Sequence, residues 1–384
     1  MALATLTPHS ATATLAPTFT PPPTDTPVPT ATLAPTETLE PTASPEPTAT
    51  ATLPPTATAE PSPTVEPTPE VAIAAVAAQV ELPGIFHEWQ RLNNCGPVST
   101  AMALSFYGSQ LTQYDIAPVV KGGPTDTNAS PHELSRFIQE QGFAAPVRVN
   151  GDLDTLRALL SNNIPVIVEQ WLERPDDELT AHYRVVRGYD MESGVFIVND
   201  SYTGPSVRYS EGDFDRWWRA FHRLYIPVYR AEQEPLVRAI VGEERWPDEV
   251  MWQQAAARAR QEVESDPNLY SWYNLGEAQL RLGDVEGAVA AFEQSFAYGW
   301  PVRMPWYLFA HLEAFNVSSR YDRVLEVTQP YVGANVEEIH YQRGVALEGL
   351  GRPQEALVEY QTAVGLNPRM QVAVDAAERL ASNL

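Results

Sequence analysis

The chain has 384 residues, a formal net charge of −24 and one lysine, Lys121. This length admits two or three folded units. The acidic balance, with no basic patch, excludes nucleic acid and an anionic membrane surface as partners. The single cysteine, Cys95, excludes an intramolecular disulfide and a thiolate metal cluster.

Residues 1–75 come first, and up to about residue 70 Thr and Pro make up more than half of them; no Lys or Arg precedes Arg91. A segment with so little large apolar surface and so many prolines does not recover the entropy lost on ordering. Repeats such as PTETLEPTASPEPTAT predict a disordered, extended stalk that leans towards polyproline geometry. The run Val71–Ala78 is too short to span a bilayer, and no other run is long enough, so no direct membrane insertion is expected. The opening MALATLTPHS lacks the basic start and apolar core of a signal peptide. A stalk without an export signal predicts a signal or anchor upstream, and an extracellular or cell-surface location; a cytoplasmic one stays open.

Residues 80–230 have mixed patterning. PVSTAMALSFYG carries small and apolar residues at helical spacing and stops at Gly108. SPHELSRFIQEQGF predicts a second helix, with Ser130 as N-cap, Pro131 at the first position and Gly142 past the end. DLDTLRALLSNN predicts a third. The period then changes, and IPVIVEQW, HYRVVRGYD and GVFIVND predict short strands. Helices followed by strands indicate an α+β domain. The cluster Trp217, Trp218 and Phe221 is read as core, and residues 170–182 as a loop leading towards a site.

Residues 245–384 are helical and repetitive. Residues 249–264 predict one extra packing helix. Beyond it, Gly276 aligns with Gly344, Ala288 with Ala356, Phe292 with Tyr360 and Trp300 with Pro368, each at an offset of 68, twice 34. A middle unit from about Trp306 fits between them, with Ala310 at the glycine position and Asp322 where alanine is expected. These residues resemble the tetratricopeptide repeat family. The resemblance implies an all-α array whose concave face takes a protein partner or substrate.

The remaining question is what Cys95 does. A thiol attacks an acyl carbon as the thiolate, a form favoured by a helix N-terminus and a nearby imidazolium. Cys95 stands where a helix is predicted to begin, before Gly96-Pro97. Gln90, five residues upstream, offers a side-chain amide that donates to an oxyanion together with the Cys95 N–H. Of seven histidines, His9 lies in the stalk, His311 and His340 in the repeats, His132 in the first turn of a helix, His222 beside an aromatic cluster and His87 on the incoming segment. His182 opens the strand HYRVVRGYD and Asp200 ends the strand VFIVND; paired as a hairpin, these strands bring the two side chains to one end.

Gln90, the CGP at 95–97, the HYRVV from 182 and the VND ending at 200 carry a second resemblance. Residues 82–228 are similar to the papain-like fold in its bacteriocin-processing form, the double-glycine leader peptidase family. The resemblance implies Cys95 as nucleophile, His182 as base, Asp200 as its orienting acid and Gln90 as oxyanion-hole donor, with no cofactor and no metal. This chain differs at three points. Asn94 stands where the family often has an acid, the Gln-to-Cys spacing is one residue short, and Ser201 replaces the usual proline after the aspartate. The first two bear on oxyanion geometry and the third on loop shape. The leading expectation is a cysteine peptidase acting on peptides or surface proteins. A papain-like binding module without turnover, and acyl transfer to an amine through the same thioester, are the alternatives.

Overall fold

A computed structural model describes residues 71–123, 126–174 and 178–384. The predicted stalk falls, up to residue 70, outside the described residues. In chain order the first region contains β1 (Gln79–Glu81), α1 (Cys95–Ser105), α2 (Gln113–Val120), α3 (Pro131–Glu140), β2 (Phe143–Ala144) and α4 (Leu153–Ser161). It continues with β3 (Val166–Glu173), β4 (Leu179–Asp190), β5 (Val195–Asp200), β6 (Gly204–Ser210), α5 (Glu211–Trp218), β7 (Tyr225–Pro227) and β8 (Tyr229–Arg230). The second region contains α6 (Glu234–Val241), α7 (Asp248–Ser265), α8 (Leu269–Arg281), α9 (Val285–Ala297), α10 (Ala310–Val317) and α11 (Tyr321–Thr328), then α12 (Glu337–Gly349), α13 (Pro353–Leu366) and α14 (Gln371–Ala381).

The antiparallel sheet runs β6-β5-β4-β3-β7, with β1 paired on the far half of β4. The three predicted strands form its centre. β3 is buried along nearly its whole length, which accounts for its continuous apolar run rather than alternation. α1 lies against this sheet, and every residue from Gly96 to Ser105 is buried. Its small residues permit that depth. The Ser99 hydroxyl donates to the Tyr183 carbonyl across the contact at 3.0 Å, and a Cβ on Gly96 would stand 3.2 Å from Leu134. The α3 start forms as the sequence predicts: Ser130 and Glu133 make a reciprocal capping box with Pro131 in the first turn. The α-helices α2, α5 and α6 and the strands β1, β2, β6, β7 and β8 are additional to the predicted elements. They are short, and their patterns are too brief to declare a period.

α7 is the extra packing helix, and α8 to α13 pair as three helical hairpins, followed by α14. The glycines at the 68-residue offset play the same part in the outer two hairpins. A Cβ on Gly276 would stand 2.9 Å from the Phe292 ring, and one on Gly344 would stand 2.5 Å from the Tyr360 ring. Each ring therefore packs directly on backbone. The middle hairpin is shorter, with a 3₁₀ turn at Met304–Trp306 before α10. Asp322 is exposed there and does not take the alanine position. Counted from the N-cap of each second helix, Val324 matches Ala288 and Ala356 and is fully buried, and Leu312 rather than Ala310 matches the glycine position, because the middle unit is offset by 36 and 32 residues rather than 34.

The peptidase-like region and the repeats share a core. Trp171, Ala181, Ala220 and Phe221 cluster with Tyr273, Phe292, Met304 and Phe315 of the repeats. Polar ties reinforce this seam: Asn274 Nδ2 donates to the Arg219 carbonyl at 2.7 Å, and His222 Nε2 donates to the Asn274 carbonyl at 2.7 Å. The described residues accordingly form one compact unit. Trp218 and Phe221 are core, as expected, while Trp217 is half-buried over Arg184. No helix among the described residues is long and apolar enough to cross a membrane.

Candidate active site

Cys95 is the first residue of α1. Its N–H, as for any residue in the first turn of a helix, has no carbonyl four residues back to bond and is left for an outside acceptor. The helix dipole adds positive potential there. Asn93, in the left-handed conformation (φ 57°), closes a tight turn between Gln90 and the helix. Gln90, Cys95 and His182 all line one cleft of about 320 Å³.

β4 and β5 form the predicted hairpin, in antiparallel register. At its end, the buried His182 Nε2–H donates to Asp200 Oδ1 at 2.9 Å. This leaves Nδ1 as the ring nitrogen available to the Cys95 thiol, and the two groups stand close enough to shift each other's proton affinity. Burial pushes the Cys95 thiol up, but the hydrogen bond and charge of His182 outweigh it and hold the thiol below its ordinary value. Burial lowers His182, while the Asp200 charge and hydrogen bond outweigh that and push the imidazole up to about 9. Burial raises Asp200, but the His182 and Arg184 charges and hydrogen bonds hold it well below the usual carboxylate range. The three shifts favour thiolate and imidazolium together.

Three residues shape this arrangement, two that the sequence reading passed over and one, Ser201, that it read only as a matter of loop shape. Arg184, 1% exposed, donates its Nε–H to Asp200 Oδ2 at 2.7 Å and lies against the packed rings of Tyr209 and Trp217. Its signal was present: residues i and i+2 of a strand share a face, so His182 and Arg184 point to the same carboxylate. Ser201 is the second. Its hydroxyl donates to Gln90 Oε1 at 2.7 Å, and its carbonyl accepts from the Gln90 N–H at 3.0 Å. With Oε1 held, the other end of the amide, Nε2, is the one left for the cleft. The residue that departs from the family pattern after the aspartate thus grips the Gln90 side chain.

Gln113 on α2 is the third, and nothing in its surroundings in the sequence singles it out. It is 1% exposed and uses both ends of its amide. Nε2 donates to Glu88 Oε1 at 2.8 Å and the Trp89 carbonyl at 2.9 Å, while Oε1 accepts from the Arg91 N–H at 2.7 Å and Asn94 Nδ2 at 3.0 Å. Asn94 therefore serves the loop, not the thiol. His87 donates to the Asp200 carbonyl at 2.9 Å and braces the same corner. His132 is exposed, and His222 and His311 are buried, with burial holding them at about 4 and about 3. No group of three or more His, Cys, Asp or Glu is placed to hold a metal among the described residues.

The far wall of the cleft comes from the repeats. Arg303, Trp306 and Tyr307, in the turn before α10, line it. Asn128 Nδ2 donates to the Trp306 carbonyl at 2.8 Å, and Arg303 donates to Thr180 Oγ1 at 3.0 Å and pairs with Glu178. Residues 170–182 prove to be the ends of β3 and β4 and the turn between them, part of which, 175–177, lies outside the described residues.

Residues 76–226 match the model of the Peptidase_C39 like family, and residues 269–298 and 337–370 match that of the tetratricopeptide repeat. The matched repeats are the outer two hairpins, and the shortened middle one falls between them. Among solved structures, the chain is similar to the peptidase domain of Streptococcus ComA, a bifunctional ABC transporter involved in quorum sensing, at 19% identity, covering 38% of this chain and 96% of that one with a TM-score of 0.30. It is similar to a double-glycine motif protease from an AMS/PCAT transporter at 16% identity, covering 40% and 99% with a TM-score of 0.30. It is also similar to xylellain, a cysteine protease from Xylella fastidiosa, at 15% identity, covering 41% and 87% with a TM-score of 0.31. No curated protein matches the chain.

Proposed function

We propose, from the premise that residues 76–226 form a papain-like domain matching the Peptidase_C39 like family, that this chain hydrolyses peptide bonds through the Cys95 thiolate. The observation that carries the reading is the line Cys95–His182–Asp200 set in one cleft with Gln90. In this mechanism the thiolate adds to the carbonyl carbon, and the carbonyl electrons move onto oxygen. Gln90 Nε2 and the Cys95 N–H donate to that oxyanion. The C–N bond breaks as the His182 imidazolium gives its proton to the leaving amine, leaving a thioester on Cys95. His182 then takes a proton from water, which adds to the thioester, and the acid departs as the thiolate re-forms with the imidazolium. Asp200 stays ionised throughout and holds the ring. The tetratricopeptide region supports a role for protein interaction.

Iodoacetamide alkylation at mildly acidic pH and digestion of a peptide library test the reading together. Fast alkylation of Cys95 that slows in His182→Ala, with library cleavage lost in Cys95→Ala, is the expected result. Alkylation that is slow and equal in both proteins sinks the enzyme reading. Rapid alkylation with no cleavage of any peptide leaves a binding module in its place.

A further inference from the structure

The first helices of the repeats, the face that the sequence reading reserves for a partner, do not face open solvent. They line a cavity of about 810 Å³ whose opposite wall is the peptidase-like region, around α3 and its preceding loop. The seam is close: a Cβ on Gly122 would stand 2.5 Å from the Asn367 backbone, and Arg369 donates to the Lys121 carbonyl at 2.6 Å. Cavity and catalytic cleft meet, since Asn128, Ala129, Glu169, Tyr183 and Tyr307 line both.

The passage carries both charges: Arg303 pairs with Glu178 and Arg281 with Glu313, while the carboxyl groups of Glu169, Glu337 and Glu338 have no ion-pair partner among the described residues. Glu169 on β3 is 7% exposed, stands at the junction beside the thiol, and has no ion-pair partner among the described residues. Glu337 at the start of α12 is 3% exposed; its Oε1 accepts from Asn367 Nδ2 at 2.8 Å, while its Oε2 is buried with no hydrogen-bond partner among the described residues. The neighbouring Glu338 Oε2 is buried and unpartnered in the same way. Other carboxylates of the cavity are engaged: Glu313 pairs with Arg281 at 2.8 Å, Asp248 with Arg148 at 3.0 Å, and Glu133 caps α3. At Glu337 and Glu338 a buried oxygen without a donor leaves desolvation uncompensated. Burial and the neighbouring Cys95 push Glu169 up to about 8 against the pull of Tyr183, and burial pushes Glu337 up to about 7. A guanidinium or ammonium supplies the missing donors and charge.

We propose that Glu169 is the specificity-determining wall of the substrate cleft, selecting peptides with an arginine or lysine beside the scissile bond, and that the substrate's flanking residues run through the cavity between the repeats and the peptidase-like region towards Glu337. The repeat array is then the second half of the substrate channel. This rests on the peptidase reading for the word substrate, whereas the recognition of a cationic side chain is separable from turnover.

The test is binding to the full chain carrying Cys95→Ala, read by fluorescence anisotropy. The probes are fluorescein-labelled hexapeptide libraries with arginine, lysine, norleucine or citrulline fixed at each position in turn. Citrulline keeps the shape of arginine and removes its charge. The expected result is at least tenfold tighter binding of arginine over citrulline at one position, falling to within twofold when Glu169→Gln is added. A smaller loss at a second position in Glu337→Gln is expected to mark the direction of the peptide. Cooperative thermal unfolding of each variant shows that it is folded. Equal binding of the arginine and citrulline libraries, an arginine preference that survives Glu169→Gln, or binding of no library at all overturns the proposal. Selective binding with no cleavage by the unmodified chain overturns the peptidase reading alone.

Discussion

Two protons decide what the cleft does, one at Cys95 and one at His182. The ion pair exists between the lowered thiol value and the raised imidazole value of about 9. Raising the pH through about 9 removes the imidazolium proton needed by the leaving amine, so kcat/KM is expected to fall there. Asp200→Asn removes the charge that raises His182, and is expected to move this alkaline limb to lower pH in a pH–rate profile. The same shift enters stability. The folded-state value of His182 lies above its ordinary value of about 6.5, so its contribution is complete below that pH and is lost as pH rises through about 9. Urea midpoints measured across that range check the sign. Ser201 acts through Gln90. Loss of an oxyanion donor costs about 10²–10³ in kcat, so loosening one through Ser201→Ala is expected to cost roughly tenfold in kcat with KM unchanged. Ser201→Thr keeps the hydroxyl and is expected to restore the rate, an outcome that a merely structural serine would not give.

At the scale of elements, the site depends on short pieces that hold a loop. The segment carrying Gln90 has no regular structure, and it is fixed from outside by α2 through the four hydrogen bonds of the Gln113 amide. Removing a buried amide leaves the Trp89 carbonyl and the Arg91 N–H without partners. Gln113→Ala is expected to lose about 1–3 kcal/mol in urea unfolding, and to slow Cys95 alkylation because the first turn of α1 loses its preceding anchor. The hairpin of β4 and β5 does the complementary work. Its register pairs Val185 with Asn199, which brings His182 and Arg184, two apart on one face of β4, to the two oxygens of Asp200. Arg184 keeps Asp200 ionised whether or not His182 is charged.

At the scale of the molecule, the repeats are part of the cleft and of the core. Trp171 and Phe221 pack edge to face at 4.7 Å and lie beneath Tyr270 and Tyr307 of the repeat region. Cutting the chain after residue 245 exposes these rings and removes the wall formed by Trp306 and Tyr307. The fragment 79–245 is expected to be poorly soluble, whereas residues 79–384 unfold in one transition. Coincidence of tryptophan fluorescence and far-ultraviolet circular dichroism melts checks this. Two separated transitions would show that the regions fold independently.

Local patterns in the sequence are enough to specify the α1, α3 and α4 helices, the central strands and the 34-residue repeat, because each is a short-range matter of caps, period and small residues. Cys95 at a helix start and the hairpin that joins His182 to Asp200 are legible for the same reason: both depend on neighbours along one or two elements. The roles of Gln113 and Ser201 were not legible, since an amide or hydroxyl takes its meaning from partners far along the chain. Nor was the turning of the repeats onto the cleft. Phe221 reads as core of its own region, and only the assembled structure shows that Trp171 and the repeat residue Tyr307 pack into one and the same core with it. The sequence by itself determined which groups could carry the chemistry. The tertiary structure decided what grips Gln90 and which residues close the cleft, because those contacts join segments that no local period relates.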